Sequence, residues 1–167
     1  MSFKEHKSKT PTHIKLGVVT VSSSRNLQTD KSGQWITKTA KKEGCNVVAH
    51  HVVPDELNSI QQTVSQIMQE HSPDVLILTG GTGITQKDVT IEAIRPLFTK
   101  ELSAFGVLFT QLSYEEIDTA AMLSRATAGI IDKTVIFCIP GSINACKLAC
   151  NMLIFPELGH IVKHIQE

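Results

Sequence analysis

The sequence of 167 residues has no excess of charge of either sign, because 16 Lys and Arg residues balance 16 Asp and Glu residues. General binding of nucleic acid usually needs a basic excess, so no nucleic-acid partner is expected. The sequence has no apolar run near the length that crosses a bilayer, and Met1 to Lys7 lacks the apolar core of a signal peptide. These absences predict a cytoplasmic protein with no membrane partner.

Paired cysteine motifs are also absent. None of the four cysteines forms a C-x-x-C pair, so neither a zinc ribbon nor a redox motif is indicated. Cys146 and Cys150 lie one helical turn apart, a spacing at which buried thiols on the inner face are commoner than a shared metal. His160 and His164 have the same spacing, but with no third ligand nearby the sequence does not favour a zinc site.

What the sequence does have is an alternation of strand-like and helix-like segments. A hydrophobic content of 41% at this length suits one domain with one core. Residues 1–13 have no apolar periodicity and are expected to be a flexible tail, which leaves 14–167 as a single domain. The alternation predicts a three-layer α/β/α fold with a mostly parallel central sheet. Strands are predicted at about 14–21, 45–53, 75–78 and 134–139, and helices at about 34–42, 57–71, 143–153 and 157–165.

The most informative stretch is Asp74 to Glu92, which reads D-V-L-I-L-T-G-G-T-G-I-T-Q-K-D-V-T-I-E. An apolar run ends at Thr79, and the G-G-T-G that follows allows positive φ angles and a close approach to main-chain N–H groups. The Thr82 hydroxyl lies among these glycines. The stretch is therefore a candidate anion site.

Acidic residues follow this loop, where a helix is expected to begin. Asp88 and Glu92 place carboxylates beside a loop suited to phosphate, and the two kinds of negative group would repel each other. A divalent cation between them removes this conflict, so a Mg-nucleotide or a phosphorylated ligand is the natural hypothesis. The alternative is an ordinary tight turn, because many α/β proteins use glycine there. The stretch matches neither the Walker A motif nor the G-x-G-x-x-G fingerprint.

Polar residues also follow the first, second and last predicted strands, at the ends where parallel sheets bind ligands. Turn and cap chemistry is the alternative: Asp30 and Ser142 suit helix N-caps, and Asp55 is placed to cap the helix at 57–71. A second possibility is that Asp55 lies opposite Asp88 at the carboxyl end of the sheet, where the two carboxylates would together hold a Mg-polyphosphate. The clustering predicts a single active-site rim.

Two further features lie between the central stretch and the last strand. Arg125 is either a surface ion-pair residue or a phosphate ligand, and the residues alone favour the surface. An apolar stripe at helical spacing indicates core or a subunit interface rather than a cofactor pocket. The stripe consists of Leu102, Phe105, Leu108, Phe109 and Leu112.

Four motifs together resemble the MoaB/MogA family of molybdenum-cofactor biosynthesis proteins, and their order fits its MoaB branch. They are L-T-G-G-T-G-I-T-Q-K-D-V-T-I-E (78–92), F-G-V-L-F (105–109), L-S-R-A-T-A-G (123–129) and P-G-S-I-N-A (140–145). The resemblance covers about residues 14–160. It implies a molybdopterin-binding fold, a homo-oligomer that is a trimer or hexamer, and contact with a molybdenum-insertion protein.

The resemblance also implies a reaction and its residues. Active members join AMP from Mg-ATP to the terminal phosphate of molybdopterin and release pyrophosphate, so Mg²⁺ is the expected cofactor and ATP and molybdopterin are the expected substrates. Asp88 and Asp55 match the functionally important aspartates and would position magnesium or nucleotide. The residues assigned to nucleotide or pterin binding are Ser22, Arg25, Asp30, Ser32, Gly33, Thr79, Gly80, Gly81, Thr82, Gly83, Thr90, Glu92, Ser124, Arg125, Pro140, Gly141 and Ser142.

Two positions depart from the family pattern. Ser24 stands where adenylyltransferase members commonly have Asp, which removes a carboxylate from the rim. Ile91 stands where Pro is common, which only forgoes a favourable first-turn proline. The alternative function is a catalytically silent molybdopterin-binding carrier or assembly protein. A third is a nucleotide-processing enzyme of the CinA type, but the P-G-S and S-R-A-T-A-G motifs favour MoaB.

Overall fold

The computed structural model describes residues 13–167, so the predicted tail, apart from His13, lies outside the described residues. The strands are β1 (Lys15–Val21), β2 (Asn46–Val53), β3 (Val75–Thr79), β4 (Lys100–Glu101), β5 (Thr127–Ile131) and β6 (Thr134–Ile139). The helices are α1 (Lys31–Lys42), α2 (Leu57–His71), α3 (Thr90–Ile94), α4 (Ser103–Ile117), α5 (Ile143–Ala149) and α6 (Phe155–Gln166).

The six strands form one sheet in the order β2-β1-β3-β6-β5-β4. Strands β1, β2, β3 and β6 run parallel to one another. Strand β5 is antiparallel to β6, and the two-residue β4 is antiparallel to β5. The prediction of a mostly parallel sheet is confirmed, and the antiparallel edge was not predicted.

The unexpected strand β5 contains Ala128 and Gly129, two residue types that are depleted in strands. Gly129 is needed because the Phe98 ring packs against it: a Cβ atom at Gly129 would lie 2.3 Å from Phe98 Cδ2. The predicted turn at 130–133 overlaps the hairpin turn between β5 and β6, where Asp132 has a φ of 53°. A tertiary contact thus overrides the weak local preference of β5.

Side chains on the two faces of the sheet belong to two separate apolar cores. On β3, Val75 and Ile77 face one core, whereas Leu76 and Leu78 face the other. Helices α1, α4, α5 and α6 cover the first face, and α2 and α3 cover the second. Every residue of β3 is buried because both faces are covered, which confirms the three-layer α/β/α arrangement.

All four cysteines are buried in these cores. Cys146 and Cys150 both face the first core, which confirms that they point inward. Desolvation by burial, together with the nearby Glu43 carboxylate, raises the pKa of the Cys45 thiol to about 11. Burial raises the pKa values of the other three thiols too, so all four are protonated at neutral pH.

The two helices predicted near the carboxyl terminus form one continuous helical run, Ile143–Gln166. A π-helical turn at Cys150–Ile154 joins α5 to α6, and its wider ladder lets the helix continue into Pro156, which has no N–H to donate. Within residues 13–167, this run of 24 residues is long and apolar enough to cross a membrane by length and composition, contrary to the expectation from the sequence. A core helix passes the same test, and here Ile154 and Val162 are buried in the first core.

Helix α4 carries the predicted apolar stripe, with one difference. Phe105 and Phe109 are buried in the first core, and Leu102 and Leu112 pack against it. Leu108 is 47% exposed because the helix turns it away from the sheet. The stripe therefore contributes to the core through its inner members only.

Helix α2 offers a direct test of the second core. Ile67 is 1% exposed and faces the sheet, whereas Gln62 is exposed on the same helix. We expect Ile67→Ala to lower the free energy of unfolding by about 2–5 kcal/mol, because it leaves a cavity, and Gln62→Ala to change it by less than about 0.5 kcal/mol. Chemical denaturation followed by circular dichroism measures both. Equal losses in the two variants would contradict the assigned faces.

Candidate functional site

The carboxyl ends of the four parallel strands surround one cleft with a volume of about 470 Å³. It lies between the first loop (Ser22 to Asp30), Asp55, the glycine loop (Gly80 to Gly83) and the last loop (Pro140 to Ser142). The predicted site residues that line this cleft are Ser22, Arg25, Asp55, Gly80, Gly81, Thr82, Gly83, Asp88, Ser124, Pro140 and Gly141. The four polar strand ends thus meet around one cleft, as their pattern in the sequence predicted.

The other predicted site residues lie beside this lining, where most of them hold its loops in place. These residues are Asp30, Ser32, Gly33, Thr79, Thr90, Glu92, Arg125 and Ser142. Several of them donate hydrogen bonds to main-chain carbonyl groups of the loops. Their placement favours a supporting role over direct contact with a ligand.

The glycine loop takes a backbone path that requires glycine. Gly80 and Gly81 have φ angles of 101° and 63°, in the left-handed region. A Cβ atom at Gly80 would lie 2.3 Å from the Val21 carbonyl oxygen. The buried Thr90 braces the loop, since its hydroxyl donates to the Gly80 carbonyl at 2.7 Å and its N–H donates to the Gly81 carbonyl at 3.0 Å.

Asp88 lies at the far side of the glycine loop. Its Oδ2 atom accepts hydrogen bonds from the Thr85 N–H at 2.9 Å and the Thr85 hydroxyl at 2.7 Å. Partial burial raises the pKa of Asp88, but hydrogen bonds from Thr85 and Gly83 and the positive charge of Arg125 outweigh it, so the pKa is lowered. The Asp88 carboxylate is therefore ionised at neutral pH.

Arg125 supports the glycine loop from behind. Its Nε atom donates to the Gly83 carbonyl at 2.9 Å, and its two Nη atoms bind the Glu92 carboxylate at 2.5 and 3.2 Å. The hydrogen bond to Glu92 raises the pKa of Arg125, and the same bond lowers the pKa of Glu92. Of the two interpretations of Arg125, the ion pair fits its contacts, with the addition that the guanidinium also anchors the loop.

Asp55 does not act as the cap that the sequence suggested by default. Helix α2 begins at Leu57 after Glu56, while the Asp55 Oδ2 atom accepts hydrogen bonds from the N–H and the hydroxyl of Ser23, both at 2.7 Å. Asp55 is near the glycine loop as well, because a Cβ atom at Gly81 would lie 3.5 Å from its Oδ1 atom. Asp55 and Asp88 line the same cleft from separate loops, which is the arrangement that the second interpretation of Asp55 required.

Asp30 is fully buried beneath the first loop. It is the N-cap of α1, accepting from the Gly33 N–H at 3.0 Å, and its Oδ2 atom contacts Thr20 Oγ1 at 2.6 Å and His50 Nε2 at 2.9 Å. Burial raises the pKa of Asp30, but hydrogen bonds from His50, Thr20 and Gly33 outweigh it and the pKa is lowered. The predicted capping role is confirmed, and α1 consequently starts at Lys31, earlier than expected.

The last loop is tied to the first. The Gly141 carbonyl accepts from Ser32 Oγ at 2.8 Å and from Arg25 Nη1 at 3.2 Å. Thr79 Oγ1 donates to the Pro140 carbonyl at 3.0 Å, which joins the loop to the end of β3. Ser142 caps α5 by accepting from the Ala145 N–H at 3.2 Å, as predicted. These bonds leave Arg25 at the edge of the cleft.

Four residues that line the cleft were not assigned to it from the sequence, namely Val21, Ser23, Ser24 and Lys87. Lys87 adds a second cation beside Arg25, and Ser23 holds Asp55 in place. Lys87 directly precedes Asp88 in the motif K-D-V-T, so its position beside a predicted phosphate site was the available signal. Two cations and two carboxylates therefore face the same volume.

A larger cavity, of about 660 Å³, lies at the opposite end of the sheet. It is formed by α2 and the turn between β5 and β6, with Met68, Leu97 and Ile131 among its lining residues. Ligands of parallel sheets bind at the carboxyl ends of the strands, and the glycine loop is there too. The smaller cleft is therefore the better candidate despite its size.

A family model and the relatives of known name point to the same protein family. A family model described as a probable molybdopterin binding domain matches residues 17–160. The chain is 46% identical over 168 residues to the molybdenum cofactor biosynthesis protein B of Bacillus subtilis strain 168, covering 100% of this chain and 99% of that protein. It is 47% identical over 155 residues to the protein of the same name from Staphylococcus aureus strain MRSA252, covering 91% of this chain and 92% of the relative.

Solved structures agree with this similarity. A crystal structure of molybdenum cofactor biosynthesis protein B has a TM-score of 0.90 and 45% identity, covering 95% of this chain and 99% of that one. The tungsten cofactor synthesizing protein MoaB from Pyrococcus furiosus has a TM-score of 0.85 and 42% identity, covering 94% and 99%. The protein CinA from Thermoplasma acidophilum has a TM-score of 0.63 at 16% identity, covering 90% and 99%, so that likeness concerns the fold alone.

The lowered pKa of Asp30 predicts a pH-dependent loss of stability. A carboxyl group whose pKa is lower in the folded than in the unfolded chain stabilises the fold above its unfolded value, about 3.9, and loses that contribution as the pH falls through its folded value. We expect Asp30→Asn to lower the free energy of unfolding by about 1–3 kcal/mol at pH 7, and the difference from wild type to shrink below about pH 4. Urea denaturation across this pH range measures it, with Asp132→Asn in the exposed hairpin turn as the control. A difference that does not depend on pH would contradict the assignment.

The simultaneous contacts of Arg125 with Glu92 and with the Gly83 carbonyl predict that this side chain limits the motion of the glycine loop. Arg125→Lys keeps the charge but cannot hold Glu92 and the loop carbonyl at once, so we expect amide hydrogen exchange in residues 80–90 to become about tenfold faster. The matched control is Arg95→Lys, because Arg95 also pairs with one glutamate, Glu101, away from the cleft. Unchanged exchange in the Arg125 variant would contradict the anchoring role.

Proposed function

The chain belongs to the molybdopterin-binding family of molybdenum cofactor biosynthesis proteins that includes MoaB, and from this premise we propose that it is a molybdopterin adenylyltransferase. The reaction joins AMP from Mg-ATP to the terminal phosphate of molybdopterin and releases pyrophosphate. The observation that carries the proposal is the meeting of a glycine loop, a second main-chain loop and two carboxylates from separate loops around one cleft.

The polyphosphate would lie between the glycine loop and the last loop. Glycine at 80, 81 and 83 keeps the main chain open to close approach, and main-chain N–H groups in such turns bind anions. Arg25 and Lys87 add two positive charges at the same place. Together they would neutralise a chain of phosphates better than either loop alone.

The donor set fits magnesium. Within residues 13–167, no group of three or more His, Cys, Asp or Glu side chains is arranged to hold a metal ion by itself. Mg²⁺ usually binds through one or two carboxylates together with substrate phosphates and water, which suits Asp55 and Asp88. When bound, Mg²⁺ supplies charge neutralisation on the phosphate oxygens.

The proposed chemistry needs no activated side chain. An oxygen of the terminal phosphate of molybdopterin attacks the α-phosphorus of ATP, a new P–O bond forms, and the bond to the bridging oxygen breaks as pyrophosphate leaves with the electron pair. A phosphate monoester is largely ionised at neutral pH, so no general base is required. Alignment by the two loops and charge neutralisation by Arg25 and Lys87 are what the protein supplies.

One observation favours the alternative, a silent carrier or assembly protein. Ser24 lines the cleft with a hydroxyl where adenylyltransferase members commonly have Asp, and its N–H contacts the Ser22 hydroxyl at 3.3 Å. The lost carboxylate would weaken metal binding without preventing the phosphates from binding to the main chain. The carrier function therefore predicts pterin binding without turnover.

We also propose that the protein is a homo-oligomer, a trimer or a hexamer. Helix α4 and the segment after it expose several large apolar side chains within residues 107–123, and exposed apolar residues of this kind can mark a surface that another subunit covers. These residues are Val107, Leu108, Tyr114, Ile117, Met122 and Leu123. A molybdenum-insertion protein, which would receive the product, remains a predicted partner.

Asp88 gives the sharpest test of the reaction. We expect Asp88→Asn to reduce the rate of adenylylation by about 100-fold or more, because it removes a charge that would hold magnesium at the reacting phosphates. The assay combines purified protein, molybdopterin, ATP and Mg²⁺, and chromatography measures adenylyl-molybdopterin. The control is Asp132→Asn, at the other end of the sheet, which we expect to keep the wild-type rate.

The outcomes separate the two functions. Full activity in Asp88→Asn would remove the proposed role of this residue. Wild-type protein that binds molybdopterin tightly but forms no product would favour the carrier, and Ser24→Asp would then show whether the missing carboxylate is the cause.

A further inference from the structure

Behind the cleft lies a buried polar cluster that consists of Thr20, Asp30 and His50. The Asp30 Oδ2 atom is 2.6 Å from Thr20 Oγ1 and 2.9 Å from His50 Nε2. Asp30 and Thr20 are fully buried, and the side chain of His50 is 19% exposed. His50 lies on β2, outside the segments that line the cleft, and its ring is hydrogen-bonded to Asp30.

Gly33 shows that this cluster is closely fitted. A Cβ atom at Gly33 would lie 2.1 Å from Asp30 Oδ2, 2.4 Å from His50 Nε2 and 2.7 Å from Thr20 Oγ1. Three polar atoms from β1, β2 and the start of α1 thus converge on a space that only glycine leaves open. Any side chain at position 33 would separate His50 from the carboxylate.

The other oxygen of Asp30 lies on the side of Arg25. Asp30 Oδ1 accepts from the Gly33 N–H at 3.0 Å and is 4.0 Å from Arg25 Nη1. The same Nη1 atom donates to the Gly141 carbonyl at 3.2 Å. Arg25 is therefore shared between a buried carboxylate and the last loop, at the edge of the proposed phosphate site.

Arg25 can lie nearer to the Asp30 carboxylate or nearer to the Gly141 carbonyl. Which position it takes depends on how many hydrogen bonds Asp30 accepts from other groups. A buried carboxylate that loses a donor gains a stronger attraction for the nearest cation, because an unpaired buried charge is costly. That cation is Arg25. If the contact with His50 were removed, the Arg25 side chain would be drawn towards Asp30 and away from Gly141 and the cleft.

We infer that His50 is a positioning residue for the proposed reaction: by holding Asp30 Oδ2, it keeps the first loop in place and leaves Arg25 available to the last loop and to a bound phosphate. This inference rests on the proposed function, since Arg25 matters in this way only if the cleft binds phosphates. His50 itself touches no substrate, and it acts through Asp30.

The test compares three variants of the full chain. His50→Leu removes the hydrogen-bonding group at similar size, and His50→Gln keeps an amide N–H that can donate to Asp30. His51→Leu is the matched control, because His51 is the next residue of β2, points to the other side of the strand and is exposed. Two properties are measured: amide hydrogen exchange of the ligand-free protein, and the Kd values of Mg-ATP and inorganic pyrophosphate by calorimetry.

We expect His50→Leu to make exchange about tenfold faster in residues 22–33 and to raise both Kd values about tenfold, the effect of losing one hydrogen bond to a charged group. His50→Gln should return both properties to within about threefold of wild type, and His51→Leu should change neither. Exchange that becomes faster throughout the sheet, or a wild-type Kd in His50→Leu, would overturn the positioning role.

The two proposals fail in different ways. If the wild-type protein binds neither Mg-ATP nor pyrophosphate, the proposed function fails and so does the part of the inference that concerns phosphate. The exchange of residues 22–33 in the ligand-free protein then decides by itself whether His50 positions the first loop. Unchanged exchange there in His50→Leu would overturn the inference even in a fully active enzyme.

Discussion

The cleft depends on the close approach of three main-chain segments at the carboxyl end of the sheet. The Gly80 N–H donates to the Ile139 carbonyl at 3.0 Å, and added Cβ atoms at Gly80 and Gly141 would lie 2.3 Å from the Val21 carbonyl oxygen and 3.0 Å from the Gly80 Cα atom. Side chains at positions 80 and 141 would therefore push the ends of β1, β3 and β6 apart. Without that contact, the loops could not present their backbones to one ligand.

When loops pack closely together, their main-chain polar groups lose contact with water and need other hydrogen-bond partners. Side chains supply these partners. Thr90 and Arg125 bind carbonyl groups of the glycine loop, whereas Ser32 and Thr79 bind those of the last loop. Buried polar groups without partners are costly, so these contacts are a condition for the loops to keep their shape. Residues whose types suggest ligand binding thus divide into those that face the cleft and those that hold its walls.

Much of the fold could be predicted from the sequence, because buried strands such as β3 are apolar at every position and the helices have a regular apolar period. The strand β5 could not, since its Gly129 makes sense only beside Phe98, far away in the chain. At the cleft, the sequence indicated that Asp55 and Asp88 lie in the segments that follow β2 and β3, but it left open whether those segments meet. The role of His50 was not predictable, because pairing it with Asp30 requires the positions of β2 and α1.

The central claim is that the cleft of about 470 Å³ at the carboxyl ends of the strands binds the phosphates of a Mg-nucleotide. A crystal structure of the protein with Mg-ATP, or with a non-hydrolysable analogue, tests it most directly. We predict the phosphates between the glycine loop and the last loop, with Mg²⁺ bound by Asp55, Asp88 or both. Nucleotide in the cavity of about 660 Å³ at the opposite end, or both carboxylates remote from the metal, would contradict the account.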